Sequence, residues 1–195
     1  LENKIAEVIA AGSTGFTAEC YELFHIPPLG SLVFTVNPPL EIIGVVCEAK
    51  TEGIEPGRKP AARGKDEATD EAVYRTSPQL AKLLRSEFTA VVIGHKNGDK
   101  IYPYLPPRPA RLHGFVYPGP TETVKSFGDS LDFLSLLANA DTATPAEELT
   151  AAVLREMSRV QTDPAAFLLK AGKKLTTIYS GDYAKLKAVL GRLSL

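Results

Sequence analysis

Between residues 4 and 104 the chain offers six short β-prone segments separated by turns. No helical stretch between them is long enough to act as a crossover joining parallel strands. That pattern confines the front of the chain to an antiparallel sheet, and many short strands at close spacing favour a small closed barrel. The segments are residues 4–11, 16–24, 32–36, 42–49, 88–94 and 100–104. Turn residues punctuate them: Gly12-Ser13-Thr14-Gly15, Pro27-Pro28-Leu29-Gly30, Asn37-Pro38-Pro39 and the hairpin pair Asn97-Gly98. In 16–24, Phe16, Ala18, Cys20 and Glu22 share one side, while Thr17, Glu19, Tyr21 and Leu23 share the other. Gly44, inside an otherwise apolar strand, marks a bulge or a barrel corner.

Two further stretches are not strand. Residues 50–72 hold Pro56, Gly57, Pro60, Gly64 and charges of both signs, with Ile54 the one large aliphatic side chain. They read as a long surface loop. Residues 77–86 read as one short inserted helix, with Ser77 as N-cap, Pro78 at its first position and Leu80, Leu83 and Leu84 on one face. Residues 105–113 are proline-rich and read as a stiff polyproline connector.

Beyond about residue 121 the period becomes helical. Phe127, Leu131, Leu134 and Leu137 predict a helix over 126–139. Thr144-Pro145-Ala146-Glu147 predicts a capping box before a stripe of Leu149, Val153, Leu154, Met157 and Val160. Asp163 and Asp182 predict two more helix starts. The expected fold is therefore α+β: a six-stranded antiparallel β-barrel domain over 1–118 with one inserted short helix, then an α-helical C-terminal region over 119–195.

Composition adds limits. The chain is 44% hydrophobic and 23% charged, which suits an ordinary globular core, and its net charge of −1 gives no global field to attract nucleic acid. The charge is unevenly placed, however. Residues 122–163 carry 3 basic and 8 acidic groups, and residues 164–195 carry 6 and 1. Either the two segments complement each other, or the basic one meets an acidic partner or a phosphate backbone. No run approaches the length of a membrane span, so no membrane association is expected. The start lacks a signal-peptide pattern and an initiator Met, so a trimmed or processed, cytoplasmic chain is expected. Cys20 and Cys47 are expected as buried free thiols, with a disulfide between neighbouring strands as the alternative.

The residues hold no recognisable catalytic set. His25, His95 and His113 have no His or Cys at ligand spacing, so neither a zinc site nor a cofactor is expected. Ser13-Thr14-Gly15 is a turn rather than a nucleophile elbow. The acidic pairs Asp129/Asp132 and Glu147/Glu148 are expected near helix starts. Candidate partner-binding residues are Arg108, Arg111 and His113 along the connector, and the basic cluster Lys170, Lys173 and Lys174.

Several segments together resemble the HAS-barrel domain, named for the HerA DNA translocase and the rotary ATP synthase. They are Ile5-Ala6-Glu7-Val8-Ile9, Ile43-Gly44-Val45-Val46, the stretch from Pro78-Gln79-Leu80 to Glu87-Phe88 leading into Val91-Val92-Ile93-Gly94, and Leu105-Pro106-Pro107 to Leu112-His113. The resemblance covers roughly residues 4–118. It implies a barrel that aids assembly and partner docking beside a P-loop motor. No Gly-x-x-x-x-Gly-Lys-Ser/Thr occurs in this chain; the nearest fragment is Gly172-Lys173-Lys174-Leu175-Thr176. ATP hydrolysis is therefore not carried over. The expectation is a non-catalytic module that binds a protein partner or itself. The alternative is a nucleic-acid adapter using barrel loops and the basic tail, and a third reading is an enzyme whose site is a deep pocket of convergent ionisable groups.

Overall fold

The computed structural model describes residues 3–193 except 56 and 58. Leu1-Glu2 of the expected processed end and Pro56 of the expected loop lie outside the described residues. The strands are β1 (Ala6–Ala11), β2 (Gly15–Cys20), β3 (Leu32–Asn37), β4 (Leu40–Gly53), β5 (Leu84–Asn97), β6 (Lys100–Tyr102) and β7 (Phe115–Pro118). All pairings are antiparallel, and the order β2-β1-β7-β3-β4-β5 closes on itself where β2 meets β5. The chain thus forms a closed six-stranded barrel plus a seventh strand, followed mostly by helices.

The sixth barrel strand is not the one the pattern predicts. Residues 100–102 form only an edge strand, β6, paired to the end of β5 across the Asn97-Gly98 turn. The barrel is closed instead by β7, whose Val116 lies opposite both Ala6 of β1 and Thr35 of β3. The proline run before it is no spacer leading away from the barrel. Ala110 is buried in the barrel's inner core, Leu105 packs against that core, and the Asn37 side-chain amide donates to the Pro109 carbonyl at 2.8 Å. Apolar residues between the prolines draw the run across the barrel, and it delivers β7 into place.

The inner core holds Ala6, Val8, Phe16, Ala18, Val33, Val46, Phe88 and Val116. The pairing of β4 with β5 shifts register between Ile43 and Gly44, and again between Val46 and Glu48. Gly44 sits at the first shift, as expected. A Cβ there would lie 3.0 Å from both the Ala90 Cβ and the Phe16 ring. The outer faces of β3, β4 and β5 are buried too: Leu32, Phe34, Ile43, Val45, Cys47, Val91 and Ile93 belong to a second core shared with the helices. Strands buried on both faces read as near-continuous apolar runs, which is how 32–36, 42–49 and 88–94 look in the sequence, broken only by Thr35, Glu48 and Thr89.

The helices are α1 (Asp70–Thr76), α2 (Thr121–Ser130), α3 (Leu134–Ala138), α4 (Ala146–Ser158), α5 (Pro164–Ile178) and α6 (Tyr183–Leu190). Several differ from expectation. The predicted 50–72 loop is partly ordered: β4 runs on to Gly53, and α1 begins at Asp70, with the Thr69 side chain accepting from the Ala72 amide. The inserted 77–86 helix is only a 3-10 turn over Pro78–Leu83, and Ser77 makes no side-chain cap. The predicted 126–139 helix is two helices. Leu131 adopts left-handed φ of 56° and ends α2, which lets Phe127, Leu131, Phe133, Leu134 and Leu137 all reach the core.

That break puts Asp129 in the last turn of α2, not at a helix start. The capping box also fails, because the Thr144 hydroxyl turns away from α4 and donates to the Cys47 carbonyl on β4 at 2.5 Å. Asp163 and Asp182 do cap α5 and α6, accepting from the Ala166 and Lys185 amides. Cys20 lies in the inner core and Cys47 in the outer one, both as free thiols, so the alternative of a disulfide is excluded. Among the described residues no helix is long and apolar enough to cross a membrane.

Candidate functional site

The helical layer covers β3, β4 and β5 and leaves the wall of β2, β1 and β7 open. Alternation along these open strands sends Val8 and Val116 inward and Glu7, Ile9 and Phe115 outward. Ile9 is 40% exposed, Tyr21 46%, Leu112 55% and Phe115 42%, so large apolar side chains on and beside these strands stay in contact with solvent. Tyr21 and Phe115 meet edge to face with centroids 6.5 Å apart, and the Lys4 ammonium lies 4.0 Å from the Phe115 centroid.

A polar network frames these rings. His113 Nδ1 donates to Glu7 Oε1 at 2.7 Å, and the Tyr21 hydroxyl donates to Glu7 Oε2 at 3.0 Å. The bond from His113, then that from Tyr21, holds the Glu7 carboxyl below its usual range. Partial desolvation of the ring, reinforced by the bond to Glu7, pushes the Tyr21 phenol up to about 12. The loop carrying His113 is itself pinned. His113 has φ of +63°, its amide donates to the Val8 carbonyl, and the Val8 amide donates to the Gly114 carbonyl, both at 2.9 Å. This double bond to β1 sits where β1 carries its own bulge, between Val8 and Ala10. The bond to Glu7 then turns the exposed imidazole toward β1.

The structure separates the six predicted partner-binding residues. His113 lies at the open wall, bonded to Glu7, Arg108 and Arg111 are exposed on the connector, and Lys170, Lys173 and Lys174 lie on α5. Among the described residues no hydrogen bond or ion pair joins the two groups. Lys170 donates to the Asp129 carbonyl, neutralising the C-terminal end of α2. Lys174 pairs with Asp132 at 2.6 Å, and Arg192 of the basic tail pairs with Glu148 at 2.6 Å. The charge asymmetry is thus used within the helical layer, with Lys173 the member of its cluster for which no such pairing is seen among the described residues. Lys4, Glu7, Tyr21 and Phe115 were not among the predicted residues. The outward position of Tyr21 was readable from the alternation predicted for 16–24, although the strand itself, β2, ends at Cys20, but Phe115 was hidden by the unrecognised β7.

A second polar cluster lies where β2, β5 and β4 run side by side. Glu87, 3% exposed, is held between Arg85 Nε at 2.8 Å and Lys50 Nζ at 3.2 Å. The Thr51 and Ser86 hydroxyls bond at 2.8 Å, and Ser86 Oγ accepts from the Phe24 amide at 2.9 Å. The Ser86–Phe24 bond ties the loop after β2 to the sheet. Among the described residues no group of His, Cys, Asp and Glu is arranged to hold a metal ion. Both thiols are pushed up to about 11 by burial, which leaves them protonated and unreactive at neutral pH.

No family model matches this chain. No curated protein matches it either.

Proposed function

We propose that the chain is a non-catalytic interaction module of HAS-barrel type that docks a protein partner on its open barrel wall. The observation that carries this reading is the edge-to-face contact of Tyr21 with Phe115 on the wall the helices leave uncovered, both more than two-fifths exposed, with Ile9 of β1 and Leu112, next to His113, also exposed. An apolar centre with a polar rim is the usual anatomy of a protein interface. Here the rim is Lys4, Glu7 and His113. A closed six-stranded antiparallel barrel is compatible with the HAS-barrel resemblance, which supplies the assembly role. The nucleic-acid reading has less support, because Lys170 and Lys174 are engaged within the helical layer.

The test places a photo-crosslinking amino acid at position 115 and, as a control, at position 183, where Tyr183 is 77% exposed on α6. Crosslinking in cells should yield a discrete adduct from position 115 and none from 183, with light scattering reporting whether the adduct is a second copy. Phe115→Asp should remove an adduct formed from position 112. No adduct from 112 or 115, or equal adducts from 183, would defeat the proposal.

A further inference from the structure

Beyond the end of the barrel, β4 and β5 continue as a two-stranded arm on which a second apolar enclosure is built. The Ile54 amide donates to the Leu83 carbonyl at 3.0 Å, extending the pairing past Gly53. α1 and the 3-10 turn close one side. The chain before α1 passes over it closely, since a Cβ on Gly64 would fall 2.8 Å from Val73 Cγ2. Between these parts lies a cavity of about 250 Å³ walled by Ile54, Val73, Leu80 and Leu83. Ile54 and Leu83 remain 44% and 47% exposed, so the walls are apolar and wet. Lys59 and Arg63 stand in the lining, and neither makes an ion pair among the described residues. Glu55, the acid of the lining, has an interaction of its own.

An apolar cavity with two unspent cations asks for a ligand with an apolar body and an anionic head. The body has a size limit, since a 150 Å³ apolar cavity holds one benzene, which scales to about ten carbons here. We propose that this cavity binds small free carboxylates of that kind, with the chain against Ile54, Val73, Leu80 and Leu83 and the head between Lys59 and Arg63. The site is separate from the open barrel wall and does not depend on it. The guanidinium gives a two-pronged contact to a carboxylate that a neutral head group cannot receive.

Titration calorimetry with decanoate, 1-decanol and acetate tests each part. Decanoate should bind about tenfold or more tightly than 1-decanol, and acetate should not bind measurably. The double variant Lys59→Glu/Arg63→Glu should bring decanoate down to or below the decanol level and leave decanol unchanged. Leu83→Trp should abolish both by filling the cavity. In the wild-type protein, methyl NMR signals of Val73, Leu80 and Leu83 should move during the decanoate titration, a readout independent of how any variant folds. The proposal is overturned if decanoate shows no binding below about 1 mM, if decanol binds equally well, or if those methyl signals stay still.

Discussion

Gly30 gives the sharpest test of how the helical layer sits on the barrel. Its φ is +86°, and a Cβ built on it would lie 2.5 Å from the Ala152 carbonyl carbon and 2.6 Å from the Val153 nitrogen. Both are backbone atoms in the middle of α4, so no side-chain rotation can relieve the clash. The Gly30 amide also donates to the Val46 carbonyl at 2.9 Å, which fixes the loop to β4. Left-handed strain for Ala is about 1–2 kcal/mol, and overpacking against a rigid neighbour adds about 1–3 kcal/mol. Loss of chain entropy in the unfolded state returns about 0.4–1 kcal/mol. Gly30→Ala should therefore destabilise by about 2–4 kcal/mol. Gly98→Ala is the control: its φ is +59°, yet no heavy atom lies within 4 Å of its Cβ position, so it bears the strain alone. The difference between the two variants isolates the contact with α4. Equilibrium urea unfolding followed by circular dichroism measures it, and in thermal scans each kcal/mol should lower Tm by about 2–4 °C for a chain of this size. If Gly30→Ala is no worse than Gly98→Ala, α4 does not rest on this loop and the described docking of the layer is wrong.

The other expectations concern separate parts of the molecule. Thr144→Val removes the hydroxyl that bonds the Cys47 carbonyl and should cost about 1–2 kcal/mol in the same urea assay, whereas a capping role would instead show as lost helicity in α4. With both thiols pushed up to about 11, native protein at pH 8 should fail to react with Ellman's reagent, and both cysteines should react in urea; fast labelling without denaturant would refute their burial. Glu7 has a folded pKa below its ordinary 4.5, so its contribution is complete above that value and fades as pH falls through the lower folded value. Stability should accordingly drop on acidification below about pH 4.5, and Glu7→Gln should flatten that limb of the curve; an unchanged limb would show that the network with His113 and Tyr21 adds nothing.

The elements that were legible in advance are those specified by their own residues. The apolar runs of β3, β4 and β5 needed no partner to be seen, because both faces of each are buried. Asp163 and Asp182 cap from within one turn. β7 was missed because only three residues, Phe115, Val116 and Tyr117, stand between Gly114 and Pro118: each is β-prone, but the run is too short to announce a strand without its pairing to β1 and β3. The α2–α3 break was hidden because Phe127, Leu131 and Leu134 fit one continuous helix as well as two. Thr144 misled for a similar reason: a tertiary acceptor on β4, 97 residues away, outcompeted the local amide. The open-wall site suffered most, since Glu7 and His113 stand 106 residues apart and meet only once β7 closes the barrel.

The two walls of the barrel pose the same physical problem and answer it differently. A strand with an apolar outer face needs a cover, and β3, β4 and β5 find one in the helices that follow in the same chain. Phe115 and Ile9 give β7 and β1 a weaker version of the same need, but these residues stay about two-fifths exposed. Left unsupported, such side chains would be free to shift and to recruit any apolar surface. Here the Tyr21 ring and the Lys4 ammonium pack on Phe115, and the two hydrogen bonds between the His113 loop and Val8 of β1 remove backbone freedom beside it. Ordering side chains before contact reduces the entropy lost when a partner arrives. Rigid support under an exposed apolar patch adds little to folding stability, because the rings stay wet. Its effect would fall on association, which is why the proposed function rests on the open wall rather than on the basic helix α5.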